Sequence, residues 1–164
     1  NTHFLTQFME SVLQENQMKI RQVLLYFIFA FLLASTGNVF SGEKLVIKGY
    51  DPVAYFGAGK PVKGLKDFEY QWMGATFYFS SKENLDLFKK APEKYAPQYG
   101  GYCSYAVSQG YTAPVDPEAW EIVNDKLYLN YSKSVQKKWK EKRDEYIASA
   151  DKNWPEIKAK EEKK

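Results

Sequence analysis

Two predicted β-hairpins constrain the fold of this chain more than any other sequence feature. Residues 68–72 (FEYQW) alternate aromatic and polar side chains, a turn follows at Met73 and Gly74, and residues 75–79 (ATFYF) resume a strand-like pattern. Residues 119–130 (AWEIVNDKLYLN) hold two further strand-like runs around the turn-forming NDK. Strand patterns on either side of a short turn are typical of a hairpin, and aromatic side chains pack well between paired strands.

A helix is predicted after each hairpin. Ser80 and Ser81 offer an N-cap, and acidic residues follow near the positive end of the helix. After the second hairpin, Ser132 or Ser134 caps a long C-terminal helix with one apolar face. That face is formed by Val135, Trp139, Tyr146, Ile147, Ala150 and Trp154. With short helices predicted at residues 92–95 and 102–107 and no heptad array or solenoid-length repeat, this order predicts a small single α+β domain.

The N-terminal part of the chain is predicted to lie outside this domain. Residues 18–41 order basic, apolar and small segments as a secretory signal peptide does, and the twelve-residue apolar run is shorter than the roughly 20 residues of a membrane span. The alternative is an uncleaved membrane anchor, which is also the only membrane contact we expect. Residues 1–17 are interpreted as an upstream extension or a short amphipathic helix. The predicted domain covers residues 42–157, and residues 158–164 form a charged, solvated tail.

Composition excludes several classes of function. His3 is the only histidine, so the predicted domain has none, and the commonest general base and metal ligand is missing. Ser-His-Asp and Cys-His catalysis are therefore excluded there, as is a zinc site within one chain. No segment matches a phosphate-binding or dinucleotide-binding loop. The net charge of +3 is too small to indicate nucleic-acid binding. We therefore expect the protein not to be an enzyme.

The single cysteine, Cys103, is the main candidate for chemistry. It follows Gly100 and Gly101 and lies between two tyrosines. A thiolate is a ligand for soft ions such as Cu(I). Met73 is the one methionine of the predicted domain and a second candidate ligand. Candidate binding residues that carry oxygen donors are Tyr50, Asp51, Tyr102, Tyr105 and Asp116. The alternative is that Cys103 is a small buried residue of the core, a common fate of a free cysteine.

Several segments together resemble the exported YHS-domain proteins. They are residues 49–56 (GYDPVAYF), 74–81 (GATFYFSS), 92–97 (PEKYAP), 99–110 (YGGYCSYAVSQG), 116–120 (DPEAW) and 126–130 (KLYLN). The resemblance implies a small α+β domain, related to metal-associated modules of copper-transporting ATPases and some monooxygenase components, with no established reaction. It also implies that Cys103 is at the family's cysteine position. The chain departs from its metal-binding relatives in lacking further cysteines and in having Tyr102-Cys103-Ser104 where the name-giving motif has Tyr-His-Ser.

Two hypotheses follow. In the first, the protein is a periplasmic or secreted, non-catalytic binding module that handles a soft metal, copper, through Cys103. In the second, it is an interaction domain for a protein partner or a small ligand, and Cys103 only packs the core. No cofactor is certain in either case. An enzyme that uses Cys103 as a nucleophile is the weakest alternative, because no histidine is present to activate the thiol.

Overall fold

Both hairpins are present in the computed structural model, which describes residues 44–163. The N-terminal extension and the signal peptide predicted from the sequence lie outside the described residues. Strand β1 (Lys44–Leu45) pairs in parallel with β3 (Ala75–Phe79), and β3 pairs in antiparallel with β2 (Leu65–Trp72), so the first sheet has the order β1-β3-β2. Strands β4 (Asp116–Val123) and β5 (Lys126–Asn130) form the second sheet. The α+β prediction is confirmed.

The helices lie between and after the hairpins. Helix α1 is Ala54–Gly57, α2 is Lys82–Lys90, α3 is Pro92–Tyr95, α4 is Ser104–Ser108, α5 is Lys133–Glu141 and α6 is Arg143–Glu161. The predicted N-caps form: the hydroxyl of Ser81 accepts from Asn84 N–H, and that of Ser132 accepts from Val135 N–H. No helix among residues 44–163 is both long and apolar enough to span a membrane.

The C-terminal region differs from the prediction in two respects. The predicted single helix is two helices, because Lys142 has an extended φ of −138° that separates α5 from α6. Residues 158–161, which the sequence analysis assigns to a charged, solvated tail, are helical, because α6 continues to Glu161. Buried Ile157 and a hydrogen bond from the Tyr102 hydroxyl to Glu161 hold this last turn against the domain. Pro155 lies inside α6 without ending it.

The fold contains two tight left-handed turns. In Val46–Gly49, residues 47, 48 and 49 all have positive φ, and in Gln98–Gly101 residues 99, 100 and 101 do. Left-handed backbone is unfavourable for a β-branched residue such as Ile47, so packing must maintain it. The turns contact each other: a Cβ on Gly101 would lie 2.9 Å from Cγ1 of Val46. Glycine is therefore required at position 101 both by its φ of +77° and by this close approach.

The described fold consists of two similar repeats, residues 46–95 and 98–146. Strands β2 and β4 both have eight residues, β3 and β5 both have five, and α2 and α5 both have nine. Each hairpin has a register shift at the same place and a two-residue turn with positive φ at both positions. Each turn–helix–hairpin–helix unit then ends at a helix break of similar geometry, at Ala91 (φ −149°, ψ 65°) and at Lys142 (φ −138°, ψ 43°).

Equivalent residues of the two repeats pack in the same way. In the first repeat, Phe77 of β3 lies against Phe88 of α2, with ring centroids 4.8 Å apart and an interplanar angle of 38°. In the second, Tyr128 of β5 lies against Trp139 of α5, at 5.6 Å and 35°. Both pairs are buried. The same hairpin-on-helix packing therefore forms both hydrophobic clusters of the core.

Asp51 joins three elements of the first repeat. Its side chain is fully buried, and its Oδ1 accepts from the N–H groups of Val53 and Ala54 at the start of α1. Its Oδ2 accepts from the N–H and hydroxyl of Ser80, after β3, and from the side-chain amide of Asn84 in α2, at 2.6–2.8 Å. A buried carboxylate is stable only if such donors replace its hydration.

We predict that Asp51→Asn strongly destabilises the fold. The substitution removes the charge and places an NH₂ group opposite protein donors, so the free energy of unfolding should fall by about 3 kcal/mol or more. Chemical denaturation monitored by tryptophan fluorescence measures this. The matched control is Asp86→Asn, whose carboxylate forms an exposed pair with Lys82. Equal midpoints for the two variants would contradict the role assigned to Asp51.

Candidate functional site

Cys103 lies inside the domain, immediately before α4. It is 1 % exposed and forms no disulfide. Its Sγ accepts from the backbone N–H of Tyr131 at 3.2 Å and lies 3.8 Å from Oδ1 of Asn130, which can accept the thiol proton. Asn130 Oδ1 also accepts from Tyr105 N–H at the start of α4. Both hydrogen-bonding functions of the thiol are thus used within the protein.

The repeat gives Cys103 a counterpart, Asp51. Each residue follows a left-handed turn and a tyrosine, and each donates its own N–H to a carbonyl about eleven residues later, Val62 O for Asp51 and Ala113 O for Cys103. Each side chain accepts the N–H of the first residue after the second hairpin strand, Ser80 or Tyr131. The thiol of Cys103 therefore occupies the structural position that the Asp51 carboxylate occupies in the first repeat.

The described residues do not fit a resident soft-metal site. Met73 lies in the turn between β2 and β3 and is 68 % exposed, whereas the polar contacts of the Cys103 sulfur are Tyr131 and Asn130. Among residues 44–163, no group of three or more His, Cys, Asp or Glu side chains could share an ion. The proposed ligand pair is thus not supported by a donor set of the kind that Cu(I) prefers.

The other predicted binding residues have separate environments. The ring of Tyr50 lies under the Lys63 ammonium, at 4.7 Å from the centroid, and the Asp51 carboxylate is buried in the network described above. The ring of Tyr105 packs against Tyr146 at 5.2 Å. Asp116 accepts from Glu118 N–H at the start of β4. These contacts use each group in local structure and do not assemble them into one site.

Tyr102 belongs to a cluster that connects β1 to the end of α6. The Lys44 ammonium lies 3.2 Å above the centroid of its ring, and its hydroxyl donates to Glu161 Oε2 at 2.8 Å. Trp154 packs against the same ring at 6.4 Å. Burial lowers the pKa of Lys44 to about 8, with Glu161 acting in the opposite direction, and raises that of Tyr102 to about 12, together with Glu161. The cluster links the two ends of the described chain.

A cleft of about 280 Å³ lies between the β4–β5 hairpin and α6. Its floor is apolar, and its rim carries both signs of charge. It is lined by Val123, Asn124, Lys126, Tyr128, Asp144, Ile147, Ala148 and Asp151. None of the candidate residues predicted from the sequence lines this cleft, because its lining comes from the hairpin and from α6, which only the fold brings together. The spacing of seven residues between Asp144 and Asp151 on the predicted C-terminal helix was the available signal.

Asp151 influences two buried phenols beside the cleft. Its Oδ1 accepts from the Tyr99 hydroxyl at 2.8 Å. Burial, this hydrogen bond and the charge of Asp151 raise the pKa of Tyr99 well above its ordinary value. Burial, and to a lesser extent Asp151, also raise the pKa of Tyr128. Both phenols therefore keep their protons at physiological pH, and the Tyr99 hydroxyl donates its proton to the hydrogen bond with Asp151.

The comparisons with known proteins connect the first repeat to a family. Residues 53–99 match the YHS domain. The matched segment covers most of the first repeat and ends four residues before Cys103, so the match does not include the position that the resemblance assigned to the family's cysteine. No curated protein and no solved structure matches the chain. The second repeat, which carries Cys103 and the hairpin side of the cleft, thus has the same architecture as the matched unit without itself being matched.

We predict that the buried phenols make the protein unstable in alkali. Because the pKa of Tyr99 is raised in the folded state, the folded protein holds a proton that the unfolded chain loses above about pH 10. The free energy of unfolding should therefore fall by up to about 1.4 kcal/mol per pH unit for this residue. Denaturant unfolding at pH values from about 9 to 12 measures the slope.

Tyr99→Phe should make that slope shallower. Asp151→Asn should leave the slope near pH 10 unchanged and flatten it at a lower pH than in the wild type, because burial still raises the pKa of Tyr99 while the charge of Asp151 is lost. An identical slope in the wild type and in Tyr99→Phe would show that this phenol does not control alkaline stability.

Proposed function

We propose that this protein is a non-catalytic binding domain whose ligand occupies the cleft between the β4–β5 hairpin and α6, while Cys103 belongs to the core. The observation that supports the cleft is Tyr128. This residue is 3 % exposed and lines the cleft. Its hydroxyl has no hydrogen-bond partner among residues 44–163, and it is not one of the fully buried polar atoms that lack a partner. The hydroxyl therefore reaches solvent at the cleft, where water or a ligand can hydrogen-bond to it.

The repeat supports the view that this hydroxyl is not needed for folding. Phe77 occupies the equivalent place in the first repeat and forms the same ring contact with α2 that Tyr128 forms with α5. Packing alone is therefore satisfied by a phenylalanine. The additional oxygen lies beside Asp151 in a concave surface, the setting in which small-ligand sites combine an apolar floor with a few polar groups.

The same comparison separates Cys103 from the ligand. The sulfur accepts an N–H that a carboxylate accepts in the first repeat, which is a structural role. This favours the second hypothesis over copper handling through Cys103, although the YHS match is compatible with both kinds of binding module. The absence of histidine from residues 44–163 supports the non-catalytic part of the proposal.

We predict that Cys103→Ser binds Cu(I) no more weakly than the wild type. The serine hydroxyl can replace the thiol as acceptor of the Tyr131 N–H, and no other soft donor contacts the sulfur. Competition with a Cu(I) chelator measures the affinity of both proteins. In parallel, native wild-type protein should react with a maleimide only as fast as it unfolds, since the thiol is 1 % exposed.

The copper hypothesis has a distinct outcome in this experiment. Stoichiometric Cu(I) binding that is lost in Cys103→Ser, together with rapid labelling of the native thiol, would replace the proposal. If the serine variant unfolds, the labelling rate of the wild type still separates a core thiol from an open ligand.

We propose further that the protein is exported, to the periplasm or out of the cell. The support is the order of basic, apolar and small residues in 18–41. Expression of the full chain in a Gram-negative host should give an exported protein that begins near Gly42, as measured by intact mass. Leu24→Arg with Phe29→Arg, which interrupts the apolar run, should leave the uncleaved precursor in the cell, whereas Leu24→Ile should not. Export of the arginine variant would contradict the proposal.

A further inference from the structure

We infer that the cleft between the β4–β5 hairpin and α6 selects a small organic cation, an alkylammonium group attached to a short apolar chain. This inference rests on the proposed function, because it names the ligand of that same cleft. Three features of the cleft favour such a ligand: the charge of the rim, the apolar floor and the Tyr128 hydroxyl.

The rim has one carboxylate that no cation neutralises. Asp144 pairs with Arg143, with Nε and Oδ1 3.2 Å apart. Asp151 forms no ion pair within residues 44–163, and its single hydrogen bond there comes from the neutral Tyr99 hydroxyl to Oδ1. A carboxylate oxygen therefore remains available at the cleft, and a positively charged donor is the partner that gains most from it.

Tyr128 and Asp151 both line the cleft, and burial, with a smaller contribution from the Asp151 charge, raises the pKa of the phenol. A phenol can accept a hydrogen bond as well as donate one. An ammonium group between the two could donate to both the carboxylate and the phenol oxygen. A carboxylate ligand in the same place would face the charge of Asp151, and a neutral alcohol would gain only the weaker hydrogen bonds.

The apolar floor of the cleft determines the size and polarity of the group that the ammonium can carry. Val123 is buried and Ile147 is half-buried, and they line the cleft next to the ring of Tyr128. About 280 Å³ is near the lower end of the size of small-molecule pockets. This volume and apolar surface suit a chain of a few carbon atoms and exclude a large ring system.

The test compares three probes of one shape: n-pentylamine, n-pentanol and pentanoate. Amide resonances of ¹⁵N-labelled protein around Tyr128, Ile147 and Ala148 are followed by NMR at neutral pH. We expect saturable shifts with pentylamine at millimolar affinity, as suits a ligand with few atoms. Asp151→Asn should weaken binding by about tenfold or more. Tyr128→Phe should weaken it by about 2- to 10-fold.

Two features keep the variants interpretable. Tyr128→Phe should fold, because Phe77 packs in the equivalent position of the first repeat. Tyr131→Phe is the matched control: it removes a hydroxyl from a 56 % exposed tyrosine that does not line the cleft, and its affinity should equal that of the wild type.

The outcomes separate the inference from the proposed function. Equal binding of pentanol or pentanoate, or unchanged pentylamine affinity in Asp151→Asn, would overturn the inference and leave the cleft as a ligand site. No saturable shift in the cleft with any of the three probes would overturn both the inference and the assignment of the cleft as the ligand site.

Discussion

One backbone N–H in each repeat determines how a hairpin, a short helix and a longer helix meet. This N–H belongs to the first residue after the second strand of the hairpin, so it pairs neither within the sheet nor within the following helix. A buried side chain accepts it, Asp51 for Ser80 and Cys103 for Tyr131. The same side chain lies at the start of the short helix, so it connects the hairpin, the short helix and the longer helix. The left-handed turn that precedes it in each repeat places it in this position.

The two repeats satisfy this constraint with different chemistry, and this explains their different character. Asp51 brings a charge into the core, so Ser80 and Asn84 are needed as additional donors. Cys103 is neutral and requires only Tyr131 and Asn130. Fewer polar groups are therefore committed around the thiol than around the Asp51 carboxylate.

Local patterns allowed much of the fold to be predicted, and long-range packing explains what could not be. Period-two alternation predicted both hairpins, and the serine caps predicted the starts of α2 and α5. The break at Lys142 carries no glycine or proline, and the left-handed Ile47 contradicts its own preference, so neither is visible locally. The repeat is hidden because equivalent residues differ in type, with Asp51 matching Cys103 and Phe77 matching Tyr128. The sequence makes Cys103 the main candidate for a chemical role, although in the structure its sulfur acts as a hydrogen-bond acceptor in the core.

The difference between Phe77 and Tyr128 is the clearest sign of where function lies. A duplicated scaffold provides an internal comparison: what both repeats share is needed for folding, and what only one has is free to serve another purpose. Ring packing on the helix is shared, whereas the hydroxyl belongs only to the second repeat, and the carboxylate lies in the part of α6 that has no counterpart in the first repeat. Cys103 fails this criterion, because its role in accepting an N–H is shared with Asp51. The same comparison that removes the thiol from the ligand site therefore points to the cleft.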